Sequence, residues 1–308
     1  QLDKQPWLKA VLQKNPDILN DFFWPDGHIR VTGREYNGLL ETACYQRGEM
    51  SCTSCHSMHN SDPDDQLARD MRGNRACLQC HDKMVANITA HTHHAADSVG
   101  SNCTNCHMPH TSYGLLKAIR GHTIETPDVA TTLETGRPNA CNLCHLDKTL
   151  DWTAGQLAKR TGQVKPTVPE EHRTTAASVI WLLKGDAGQR ALAAWHMGWK
   201  PALDASGSGW QSPLLAELLD DPYSAVRYMA HKALTEQPGF DGFEYDFVAG
   251  ETSRLARREA ALAKWTLSTD NTPTHPNTLL LDTDGQRLTN KVQQLIETRD
   301  NRSMRLRE

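Results

Sequence analysis

The chain has 308 residues, long enough for two domains. Its 33 basic and 37 acidic residues leave a formal charge of -4, and no basic stripe stands out, which argues against a nucleic-acid binder. No apolar run reaches the roughly 18 residues of a transmembrane helix, and the fifteen histidines and nine cysteines, set against five phenylalanines and six tyrosines, are what the sequence asks to have explained.

Residues 1–43 read as a leading segment that packs on the domain following it. Trp7, Leu8, Val11 and Leu12 have the spacing of a short amphipathic helix, Phe22-Phe23-Trp24-Pro25-Asp26-Gly27 is turn-forming, and His28 to Arg34 alternates like a brief strand. His28 is read as a packing or surface histidine before a ligand. The first residue is Gln1, with no basic n-region and apolar h-region after it, which suggests a mature chain whose signal peptide has been removed.

Residues 44–162 carry the chemistry. Cys-x-x-Cys-His occurs four times: Cys52/Cys55/His56, Cys77/Cys80/His81, Cys103/Cys106/His107 and Cys141/Cys144/His145. Two cysteines at this spacing form thioethers to one porphyrin edge, and the histidine that follows reaches back to the iron. Tetrahedral zinc sites also use Cys-x-x-Cys, but they do not need a histidine after every second cysteine. A disulfide framework fails because bridges two residues apart close no long loop. The expectation is therefore four covalently bound c-type haems, with the eight cysteines as thioether donors and His56, His81, His107 and His145 as proximal iron ligands.

Regular structure in this stretch should be sparse. Prolines and glycines from Pro63 to Pro138 punctuate it, and the porphyrins would supply the apolar core that its side chains do not. Without them this region is not expected to fold. Cys44, the ninth cysteine, is read as a small packing residue.

The number of sixth ligands decides between chemistries, because an iron filled on both sides by protein passes electrons and an open one can bind a substrate. His59, His93, His94 and His122 are the predicted distal ligands. His91 and His110 compete with them. His59 and His110 each lie three residues beyond a motif histidine, His91-Thr92-His93-His94 places three imidazoles ahead of the third motif, and His122 follows an apolar turn. Met58 and Met108 are read as packing residues, and Arg47, Arg72, Arg75, Lys117 and Arg120 as partners for propionates. Six candidates for four positions would saturate every iron.

Thr149 to Gly162 reads as one helix ending at a glycine. Residues 163–170, with Pro166 and Pro169, form a linker. Residues 171–240 are rich in Ala and Leu, with helical runs at Ala176 to Leu183, Ala191 to Trp199, Leu214 to Leu219 and Ala225 to Leu234. Asp186 and Asp221 stand where caps or first-turn acids belong, and Pro222 fits a first turn. Residues 241–308 are a connector and C-terminal helices, with patterns at Arg254 to Leu267 and Asn290 to Arg299 and a charged tail expected to be exposed.

On its four motifs the chain resembles a multihaem, tetrahaem c-type cytochrome, over roughly residues 44 to 148. The His-Thr-His-His run, Cys106-His107-Met108-Pro109 and the Pro138 to His145 segment are similar to the haem segments of the cytochrome c554, nitrite reductase and hydroxylamine oxidoreductase group. Asp220-Asp221-Pro222-Tyr223-Ser224-Ala225-Val226-Arg227 resembles the start of a HEAT-type repeat. The chain departs from the pentahaem nitrite reductases in having fewer motifs and no Cys-x-x-Cys-Lys.

The fold class expected is mainly α with much irregular structure: a haem-cored N-terminal domain followed by an α-helical HEAT-like domain. The function expected is an extracytoplasmic electron carrier, periplasmic or at the cell surface, with mostly or all bis-histidine haems. It would work between redox partner proteins or as a homo-oligomer or filament, and no catalytic residue is assigned. The alternative is a multihaem oxidoreductase with one open haem acting on a small nitrogen or sulfur compound.

Overall fold

The computed structural model describes residues 14, 18–31, 34–57, 59, 66–113, 116–266 and 273–304. The amphipathic stretch from Trp7 to Leu12, Met58, and the start of the loop at Thr269 lie outside the described residues. The fold is mainly α-helical with long irregular connections, as composition and periodicity predict. The one sheet among the described residues pairs two short strands, His110–Tyr113 and Lys117–Arg120.

Contacts divide the chain into two units. One comprises residues 34–110 and 120–127; the other comprises 1–33, 111–119 and 128–308. The first three Cys-x-x-Cys-His motifs belong to the former and the fourth to the latter. Each unit has its own physical basis for order.

The larger unit is a conventional helical assembly. Helix Leu150–Thr161 starts because Thr149 accepts a hydrogen bond from the Trp152 N–H at 3.1 Å, and it stops at Gly162, which adopts φ 76. Helix Ala187–Met197 begins at Asp186, whose carboxylate accepts from the Gly188 and Gln189 N–H groups while the Gln189 side chain caps back. It packs against Ala177–Leu183 and Ser224–Thr235, burying Leu182, Leu183, Ala194, Met197, Val226 and Leu234. Helices Ser212–Glu217 and Glu251–Lys264 pack against each other. The short helix Lys200–Ser206 was not legible in the periodicity, because Pro201 reads as a breaker until it is seen to occupy a first turn.

Two expectations change. Asp221 does not cap the helix after it, which starts at Ser224, and Pro222 lies ahead of that start. Instead Asp221 is a fully buried counter-ion: Arg190 donates to it through Nε at 2.7 Å and Nη2 at 3.0 Å, and Arg299 donates at 3.0 Å. The tail is not exposed throughout. Arg190 donates to the Asp300 carbonyl at 3.0 Å, the Met304 N–H donates to the Tyr223 hydroxyl at 2.9 Å, and Met304 is buried. Residues 18–31 also belong to this unit, where Arg30 pairs with Asp186 and Val31 bridges to Ser112.

Among its described residues the smaller unit lacks an apolar core built from side chains. Among its described residues Leu39 is the one buried hydrophobic side chain, accompanied by Thr42 and Ser101. Its helices are short pieces: Glu35–Glu41, Ala43–Gln46, Arg75–Leu78, Ile88–Thr92 and Cys103–His107, with single turns of tighter helix between them. Side chains alone bury too little surface to offset the entropy of ordering such a stretch.

Candidate haem-binding site

The spacing of the motif becomes geometry through one helical turn. The histidine N–H donates to the carbonyl of the first cysteine at 2.9 Å for His56 and Cys52, 3.0 Å for His81 and Cys77, and 2.8 Å for His145 and Cys141. The third motif is itself the helix Cys103–His107. Positions separated by three and four residues share a helix face, so both sulfurs and the imidazole are presented together.

A ring nitrogen against a carbonyl must carry the proton, since the carbonyl can only accept. Three histidines of the smaller unit are fixed in this way. His107 Nδ1 donates to the Glu125 carbonyl at 2.6 Å, and the Glu125 N–H donates back to the His107 carbonyl at 3.0 Å. His94 Nδ1 donates to the Thr92 carbonyl at 2.7 Å, and His56 Nδ1 to the Gln66 carbonyl at 3.3 Å. Each bond leaves Nε2 with its lone pair, the state a metal requires. The His94 ring lies flat on Gly100, where an added Cβ would be 2.5 Å from it.

The imidazoles also come in pairs. His56 faces His122 with ring centroids 6.1 Å apart and planes 27° from parallel, and His91 faces His107 at 5.9 Å and 11°. Two imidazoles sharing one metal, each bonded at about 2 Å with the ring centre about 1.2 Å further on, would stand about 6.4 Å apart. Both pairs fall close to that separation. Burial pushes His122 below the ordinary histidine value, Glu35 opposes this, and His56 adds to it, which favours the neutral ring a metal binds.

The sulfurs gather as well. As free thiols, Cys77 is pushed up to about 12 by burial and then by its neighbour Cys103. Cys55 is raised by burial, then by Cys80 and Cys44, and Cys106 by burial and Cys103. Cys44 is half-buried, and it adds to the upward shifts of Cys55 and Cys77. A tetrahedral ion site needs ligands converging on one point, and among the described residues no three His, Cys, Asp or Glu side chains do so.

The remaining sequence candidates are placed as follows. His93 ends the helix Ile88–Thr92 in the left-handed region at φ 59 and is exposed. His59 is exposed, and His110 opens a strand and is half-buried. Met108 ends the third motif's helix. Arg120, read from sequence as a propionate partner, donates to the Thr104 and Met108 carbonyls at 3.1 and 3.4 Å and bonds the Asn105 side chain. It therefore ties down the end of the third motif's turn. Arg75 pairs with Asp70 at 3.6 Å.

The fourth motif is held differently. Its intervening residues Asn142 and Leu143 are buried in the helical unit. Asn142 Nδ2 donates to the Lys148 carbonyl at 3.0 Å, and Thr153 donates to Asn142 Oδ1 at 2.7 Å. The His145 ring lies 5.3 Å from Trp152, and Cys144 Sγ is 3.7 Å from the Pro201 carbonyl.

Residues 45–86 match the family model of the doubled CXXCH motif. The matched stretch holds the first two motifs, and a doubled CXXCH motif marks a multihaem protein of the c-type cytochrome kind, with haem bound covalently through the motif cysteines. The imidazole tautomers, the ring spacings and the absence of a side-chain core in the smaller unit all fit that cofactor. No curated protein and no solved structure matches the chain.

Sequence reading missed Asn74, Gln79, Gly100, Glu125 and Asn142. Three are amides, whose value lies in matching a distant backbone group. Nothing in the local pattern marks them.

Proposed function

We propose that the protein is an electron-transfer protein carrying four c-type haems, with iron held by histidine on both sides, working outside the cytoplasm between redox partners. Haem supplies reversible one-electron chemistry. The chain's own contribution is to present sulfur and imidazole from one turn, fix the imidazole proton on Nδ1, and fill the sixth position. The observation that carries the reading is the pairing of His56 with His122 and of His91 with His107 at the separation two axial ligands require. A position filled on both faces leaves no place for a substrate at the metal, which favours electron transfer over catalysis.

The fourth motif, built on a helical unit, offers a second kind of setting, with Trp152 beside its histidine. Among the described residues no helix is long and apolar enough to cross a membrane. Covalent haem attachment in bacteria takes place outside the cytoplasm, which supports the extracytoplasmic placement. The helical part, with Ala187–Met197 packed on Ser224–Thr235, is read as a HEAT-like module that docks partners.

The test is spectroscopic. A pyridine haemochrome assay with intact-mass measurement should give four haems per chain. Optical and magnetic spectra should be low-spin throughout and unchanged by carbon monoxide or nitrite. One high-spin, ligand-accessible iron in the native protein would replace this reading with the oxidoreductase.

A further inference from the structure

Asn74 joins two motifs. Its own carbonyl accepts the N–H groups of Cys77 and Leu78, both at 2.9 Å, and so starts the turn of the second motif. Its side chain reaches the third motif: Nδ2 donates to the Ser101 carbonyl at 2.8 Å, and Oδ1 accepts from the Cys103 N–H at 2.8 Å. One donor and one acceptor of a planar amide are thus matched to one acceptor and one donor of the backbone. The first cysteines of both motifs hang from the same residue.

Nearby bonds reinforce the junction. Thr92 Oγ1 is 2.8 Å from Ser101 Oγ, and Asn105 Nδ2 donates to the Val99 carbonyl at 2.7 Å, so the segment Val99–Ser101 that Asn74 grips is itself held. By contrast the link from the second motif to the first is a single donor: Gln79 Nε2 to the Ser54 carbonyl at 3.0 Å, from a side chain that also donates to the Ala76 carbonyl at 2.8 Å. A bidentate amide fixes distance and orientation; a shared single bond fixes less.

We infer that Asn74 is the positioning residue that sets the second and third haem attachment sites beside each other, by holding the turn that carries Cys77 and the backbone N–H of Cys103 at once. The inference rests on the reading of these motifs as haem sites and adds to it which two sites couple most closely.

The test uses the haem-loaded full chain and its Asn74→Ala variant, with haem content counted first by pyridine haemochrome and mass. In the wild type the ferric irons of the two sites should be magnetically coupled, so that the resolved low-spin electron paramagnetic resonance intensity falls short of the haem count. In N74A, at unchanged haem content, two further low-spin irons per chain should become resolved. N74D keeps the acceptor for Cys103 and loses the donor, and should fall between them. N87A, which removes a comparable bond to the Lys83 carbonyl, should match the wild type. Wild-type intensity that already equals the haem count overturns the inference, as does N74A or N74D retaining full coupling. Should N74A lose haem, the wild-type and N74D spectra decide. A wild-type chain lacking haem at these motifs would show in the haem count and would be a failure of the functional reading, not of the Asn74 clamp.

Discussion

Replacing His91 by alanine separates the structural reading from the sequence reading more sharply than any other change. From spacing alone His93 and His94 are the favoured ligands near the third motif. In the fold it is His91, in the last turn of its helix, whose ring stands 5.9 Å from that of His107, against about 6.4 Å for two imidazoles on one metal. His93 ends that helix in the left-handed region at φ 59. His91→Ala should therefore leave the iron at Cys103, Cys106 and His107 with a single protein ligand. If four haems are bound, about one quarter of the ferric haem should become high-spin, and the reduced protein should take up about one carbon monoxide per chain. His93→Ala should stay low-spin and take up none. The assay is an optical carbon monoxide titration of both variants at equal haem content. A low-spin, unreactive H91A together with a carbon monoxide-binding H93A would refute the pairing.

Asp221→Ala leaves Arg190 and Arg299 buried without their counter-ion, so it should destabilise the protein by about 3–5 kcal/mol. Denaturant titration followed by far-ultraviolet circular dichroism measures this, and a loss under about 1 kcal/mol would mean the site is solvated. A chain made with all eight motif cysteines as serine should be cut by protease within residues 34–110 while a fragment from about 128 onward survives; equal resistance of both parts would show that the smaller unit orders without haem. Gly100→Ala would place a Cβ 2.5 Å from the His94 ring. We expect one set of haem methyl resonances to shift in paramagnetic nuclear magnetic resonance, and an unchanged spectrum would remove His94 from the ligand set.

Much of the helical unit was legible because its signals are local. Thr149 and Gly162 bracket a helix by side-chain and backbone chemistry that involves only a few neighbours, and Asp186 announces the next in the same way. Asp221 looks identical to Asp186 in sequence. Its role is different because Arg190 and Arg299 approach from 31 and 78 residues away, and no window of sequence contains them.

The same division holds at the site. The sequence by itself determined the haem chemistry, since two thiols and an imidazole must sit within one turn to serve one porphyrin, and a five-residue motif carries all of that. It also holds six histidines beyond those of the motifs between residues 59 and 122. Which histidine faces which was decided only by tertiary structure: His122 reaches His56 across 66 positions, and Asn74 grips a motif that begins 29 residues later. The imidazole pairings and the link between the second and third motifs are distances between segments. The chain sets them through backbone carbonyls at Glu125, Thr92 and Ser101, which every residue possesses and no sequence pattern marks.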